Sequence, residues 1–186
     1  TTIEERLPED AEPGPKFTLG RLALGVVVAG SFAVWGYGFS GFAGRTAPDT
    51  LGNSSFLDVA EPSCAAANET VATMPDALDA EDNVERADQV INNTAVYTAL
   101  VDDLEQLLDD PRVDLNDRDS GITLEWLQDW RQFLADRIDY ANRLADDPQA
   151  VFYVAASSGG ERLERRITRF AATNELVSCV TPQDVG

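Results

Sequence analysis

The chain has 186 residues, 33 of them acidic and 14 basic, for a formal net charge of −19, and it contains no histidine. So acidic a chain lacks the positive footprint that a phosphate backbone requires, which argues against nucleic acid as a partner. The missing histidine excludes Ser-His-Asp and Cys-His nucleophile activation, and every zinc site that needs imidazole.

Residues 1–20 form an acidic tail that contains Pro8, Pro13 and Pro15. Between Arg21 and Arg45 no residue carries a charge. As a helix, Leu22 to Gly44 rises about 35 Å, enough for a hydrocarbon core of about 30 Å. A signal peptide would have a basic start and a shorter apolar run. Here the run is long, an acidic segment precedes it, and Trp35, Tyr37, Phe39 and Phe42 mark its far end as an interfacial belt. Residues 21–44 therefore read as a retained transmembrane helix in the bilayer. Gly25, Ala29 and Ala33 recur at steps of four, a small-residue face that lets another membrane helix approach. Arg6, Lys16 and Arg21 precede the span, whereas only Arg45 follows it before Arg86. The positive-inside rule then puts the amino terminus in the cytoplasm and the rest outside the cell membrane.

Residues 45–54 carry Pro, Gly, Asn and Ser and read as a linker to an extracytoplasmic domain over residues 55–186. Both cysteines, Cys64 and Cys179, lie in that domain, and in an oxidising compartment such a pair is expected to bond. A first helix is predicted over Ser55 to Met74, interrupted or restarted at Pro62. A second starts from Asp82 as N-cap with Glu85 completing a capping box. Its apolar face is read through Val84, Ala87, Ile91, Ala95, Thr98, Val101, Leu104 and Leu108. The stretch from Pro111 to Gly121 reads as a loop. A third helix is predicted from Thr123 to Ala145, with Leu127, Trp130, Leu134, Ala141 and Leu144 on one stripe and Trp126, Phe133 and Tyr140 beside it. It ends before Pro148, because the residue preceding a proline resists the helical region. Residues 150–157 suggest a short extended segment, and a last helix carries Leu163, Ile167 and Phe170. The fold class is all-α: one N-terminal transmembrane helix plus a bundle of three to four helices.

The order of these motifs resembles a set of actinobacterial single-pass membrane proteins of unknown function. The residues that carry the resemblance are Val84 to Asp88, then Trp126, Asp129, Trp130, Tyr140, Ala141, Leu144, Asp147 and Pro148. Phe152, Val154, Asn174, Ser178, Cys179, Thr181, Pro182 and Asp184 complete it. The resemblance implies a layout and brings no activity, cofactor or catalytic residue with it.

Three clusters could carry chemistry. Asp114, Asn116, Asp117 and Asp119 supply hard oxygens for calcium, but from Asp114 the EF-hand register puts Arg118 at the fifth position and brings the glycine, Gly121, two residues late. A solvated acidic loop is the plainer reading. Glu125 and Asp129 lie one helical turn apart between Trp126 and Trp130, which suits glycan binding or cleavage by two carboxylates. The same tryptophans fit the apolar stripe as core. Arg162, Arg165, Arg166 and Arg169 form a basic patch that either docks an acidic partner or lipid headgroups, or pairs internally with acids such as Asp102, Asp103 or Glu105. Taken together, the residues point to a non-catalytic accessory subunit or scaffold that uses no cofactor and binds another membrane or envelope protein.

Overall fold

The computed structural model describes residues 19–39, 47–52, 55–157 and 159–185. The described residues form five α-helices and no strand: α1 (Leu19–Phe39), α2 (Leu57–Ala72), α3 (Asn83–Gln106), α4 (Asp117–Asp146) and α5 (Leu163–Thr173), with a 3-10 turn at Leu107–Asp109. The chain divides into two compact units, residues 1–46 and 47–186.

In the first unit, α1 spans 21 residues and buries none of them. At 1.5 Å per residue it is about 31 Å long, enough by length and composition to cross a membrane. Its register starts at Leu19, ahead of the expected first residue, while Phe42 and Gly44 lie outside the described residues. Trp35 and Phe39 stack at its end with ring centroids 5.1 Å apart.

The second unit is an all-helical domain built on the antiparallel pair α3 and α4. Asn83 at the start of α3 donates to the carbonyls of Leu144 and Ala145 at the end of α4, and Arg131 of α4 reaches Asp102 and Glu105 near the end of α3. Against this pair α2 packs on α3 and α5 packs on α4. The core is a run of aromatic contacts. Trp126 meets Phe56, Trp130 and Phe170, and Trp130 meets Tyr97 and Phe133. Both Trp126 and Trp130 are only 2% exposed, so the stripe on α4 is filled core.

Several local readings need correcting. On α3 the buried ridge runs Ala87, Val90, Thr94, Tyr97, Val101 and Leu104, whereas Val84 and Ala95 are exposed. The expected face strayed by one residue in its middle, because it preferred Ile91 and Ala95 to polar Thr94 and Tyr97. Asp82 does cap α3, accepting from the N–H groups of Val84 and Glu85, but Glu85 returns its bond to Glu81 N–H. Helix α4 starts at Asp117, six residues before Thr123, because Asn116 caps it by accepting from Asp119 N–H. Pro62 does not interrupt α2. It sits inside the helix on an exposed position, and Asp58, whose carbonyl it leaves without a donor, is exposed as well. The segment 47–52, expected as linker, is part of the domain: Leu51 is buried and its N–H donates to Asn174 Oδ1 at 2.8 Å.

The chain after α5 returns across the bundle. Glu175 adopts a left-handed φ of 60°, and the next residue, Leu176, donates its N–H back to Ala171 to close the helix end. Cys179 then bonds to Cys64 with their Cα atoms 5.2 Å apart, and both side chains are buried. Intact-mass measurement with alkylation is expected to find no free thiol in unreduced, denatured protein. Reduction should lower the melting temperature markedly, since closing a loop with a sequence separation of 115 is worth up to about 4–5 kcal/mol on the chain-entropy model.

Candidate functional site

The tight turn of an α-helix places Glu125 and Asp129 on one edge of α4, and α5 brings Arg166 between them. Arg166 NH2 lies 2.5 Å from Glu125 Oε1, and its Nε lies 2.6 Å from Asp129 Oδ2. The second contact is off the N–H direction, so Oδ2 is ion-paired yet accepts no hydrogen bond. Burial pushes the Asp129 carboxyl up from its ordinary value, and the Arg166 charge offsets part of that rise. Beside this trio is a cavity of about 350 Å³ that also touches Asp49, Glu161 and Arg169.

What this arrangement offers chemically is limited. A guanidinium stays charged at every working pH and here holds both carboxylates at once. Trp126 and Trp130, each next in sequence to one of the carboxylates, are turned into the core and only 2% exposed, so although Trp126 borders the cavity a sugar has little ring face to stack on.

The basic patch is dispersed among acids. Arg162 pairs with Glu164 at 2.5 Å, Arg166 with Glu125 and Asp129, and Arg169 with Glu161 and, at 3.6 Å, Asp49. Arg165 is exposed. Two of the three acids first considered as their partners are engaged elsewhere, Arg131 holding Asp102 at 2.8 Å and Glu105 at 2.5 Å, and the third, Asp103, is exposed.

The acidic stretch from Asp114 to Asp119 is half helix. Asn116 is spent as the cap, and Asp119 is fully buried, accepting from Gly52 N–H at 2.8 Å, Asn116 Nδ2 at 2.9 Å and Arg118 at 2.7 Å. Gly52 is closely packed there: a Cβ would sit 3.3 Å from the Asp119 carboxylate, which would have to give by a few tenths of an ångström. Among the described residues no group of three or more acidic or cysteine side chains is placed to hold a metal ion. In α1, Gly25, Ala29 and Ala33 line one face, and a Cβ on Gly25 would meet nothing within 4 Å.

The polar centre that the sequence did not flag is Arg137. It is fully buried on α4 and donates through two nitrogens to the Asp184 carboxylate at 2.6 and 2.8 Å, and through Nε to Thr94 at 3.0 Å. Asn93 adds a bond to Asp184 at 3.2 Å. Burial alone would raise the Asp184 carboxyl, but hydrogen bonds and charge from Arg137 hold it below the ordinary 3.8. The signal was present in the spacing. The rhythm Leu127, Trp130, Leu134, Ala141, Leu144 passes through position 137.

Compared with known protein families, curated proteins and solved structures, the chain matches none.

Asp184→Asn should cost about 3–5 kcal/mol at neutral pH, because it leaves a buried guanidinium without its counter-charge, and the double variant Arg137→Met, Asp184→Leu should cost less. The folded-state pKa of Asp184 is depressed, so its contribution is complete above the unfolded value and fades as pH falls through the folded one. Melts from neutral to acid pH should therefore show parent and Asp184→Asn converging at the acid end. By contrast, Glu125→Gln with Asp129→Asn should change stability by under about 1 kcal/mol, while Trp130→Ala should cost about 3–5 kcal/mol in the same thermal melts.

Proposed function

We propose that this is a non-catalytic, single-pass membrane protein whose helical domain lies outside the cytoplasm, as an accessory subunit or scaffold for another envelope protein. The observation that carries the reading is α1: 21 residues with no charge after Arg21 and none of them buried. A helix apolar all round finds no aqueous solvent that suits it, and lipid satisfies it. The buried Cys64–Cys179 bond supports an oxidising compartment for the second unit. Arg21 in the first turn of α1 and the long interval without Lys or Arg after Arg45 support a cytoplasmic amino terminus.

Glycan cleavage through Glu125 and Asp129 is the competing reading. What favours the accessory role over it is that one arginine neutralises both carboxylates and that both neighbouring tryptophans are core. The resemblance to actinobacterial single-pass proteins fits the same proposal.

Purification of the full chain in mild detergent, after cross-linking in cells, should recover one envelope protein in fixed ratio. Gly25→Leu with Ala29→Leu should reduce that recovery if the anchor contributes to the contact. A reporter active only outside the cytoplasm, fused after Gly186, should work. Activity of a cytoplasm-only reporter at the same position would overturn the topology.

A further inference from the structure

Along residues 151–154 the side chains alternate, Val151 and Tyr153 outward and Phe152 and Val154 inward, which is the period of an extended chain, and the run is tied at its two ends. Arg143 donates to the Val151 carbonyl at 3.1 Å, Ala155 N–H donates to Asp136 at 2.7 Å, and the Ala155 carbonyl accepts from Leu163 N–H at 3.1 Å. A single antiparallel bridge, Ala156 to Arg162, fixes the far end. In an extended chain successive residues turn their N–H and C=O groups to opposite edges. Residues 151 and 155 point to the helices, so Phe152 and Val154 point to the other edge. There neither has a backbone hydrogen-bond partner among the described residues.

The segment is held firmly in that pose. Phe152 packs on Phe133 and Tyr140, with ring centroids 6.0 and 5.5 Å away, and Val154 packs against the main core. Outward, Val151 is 55% exposed and Tyr153 69% exposed. Proteins usually blunt such an edge with lysine, proline or a bulge, and residues 151–157 hold no lysine and no proline.

We propose that this edge is a docking site for an extended, basic segment of a partner protein, which adds to Phe152–Val154 as a strand. The inference rests on the accessory-subunit reading and names the surface it would use. Backbone chemistry selects the extended form, because only an extended chain offers N–H and C=O groups at the matching spacing. Charge selects the basic composition. Residues 47–186 carry 28 acidic residues against ten arginines and no lysine, and eight of those arginines are already ion-paired. Toward the end of α4, whose Arg143 reaches the Val151 carbonyl, Asp139, Asp146 and Asp147 are exposed, and Arg143 is engaged with Asp139 and stands 5.8 Å from the Tyr153 ring. Alternate apolar side chains of the incoming segment would cover Val151 and Tyr153.

The test uses the full chain in nanodiscs and three soluble peptides of about eight residues, the length of an ordinary strand. One alternates lysine and valine, one alternates glutamate and valine, and one is the lysine peptide N-methylated on its pairing edge. The lysine peptide is expected to bind and to slow amide exchange at Phe152 and Val154 more than at Ala155. N-methylation should weaken binding roughly tenfold or more, since each lost hydrogen bond is worth about 1 kcal/mol, and the glutamate peptide should not bind. Equal binding by the N-methylated peptide, equal binding by the glutamate peptide, or no protection at Phe152 and Val154 would each overturn the proposal. Val151→Glu with Tyr153→Glu, which alters only exposed positions, separates the two readings. An envelope protein that still co-purifies with this variant at parental yield refutes docking at the edge and leaves the accessory role standing. Protection by the lysine peptide without any co-purifying protein supports the edge and removes the accessory role.

Discussion

The second unit depends on one buried charge. Arg137 has no exposed surface, and moving an ion out of water costs several kcal/mol unless its hydrogen bonds are met inside. All three of its nitrogens are met, two by Asp184 and one by Thr94. That requirement reaches across the fold: α4 supplies the cation, α3 supplies Thr94 and Asn93, and the chain end supplies the carboxylate. A helical pair could slide by a turn on apolar contacts alone. It cannot do so here without stranding the guanidinium, so the pair fixes the register of α3 on α4 and ties the tail to both.

The same logic runs along the whole return of the chain. Asn174 holds the segment before α2 through Leu51 and Asp49. Ser178 gives its N–H and hydroxyl to Glu61, and its carbonyl accepts from Asn68, which in turn accepts from Tyr97. Burial and the nearby Asp184 charge raise the Tyr97 phenol, so it stays protonated and keeps donating. Next comes the disulfide, and then Asp184 and Val185. Asn174, Ser178, Cys179 and Asp184 each fasten the tail.

This explains which features were legible in the residues. The span of α1, the cap at Asp82, the disulfide and the aromatic stripe of α4 are local or compositional signals, and each could be read directly. The face of α3 could not, because Thr94 and Asn93 are buried for a partner more than forty residues away, and a hydropathy rhythm passes over them. Arg137 sits in the apolar rhythm of its own helix, and the physical meaning of a charge at such a position is a demand for a counter-charge. Which of 33 acidic residues answers it is a tertiary fact. The start of α4 was missed for a related reason: Asp117 to Gly121 is polar enough to pass for a loop, yet Asn116 and the buried Asp119 turn those polar groups into a cap.

Charge pairing also shapes what remains for a partner. With eight of ten arginines in residues 47–186 engaged by carboxylates, the basic groups that looked like a docking patch are largely neutralised where they stand. The surplus is negative, which keeps the domain soluble and repels other acidic surfaces. Attraction at a distance therefore falls to basic partners, while specificity at contact must come from something directional. Among the described residues the candidate with that property is the untied backbone at Phe152 and Val154. It contrasts with the buried pair at Arg137: there all three guanidinium nitrogens are met within the fold, and here the backbone groups of two residues have no partner among the described residues.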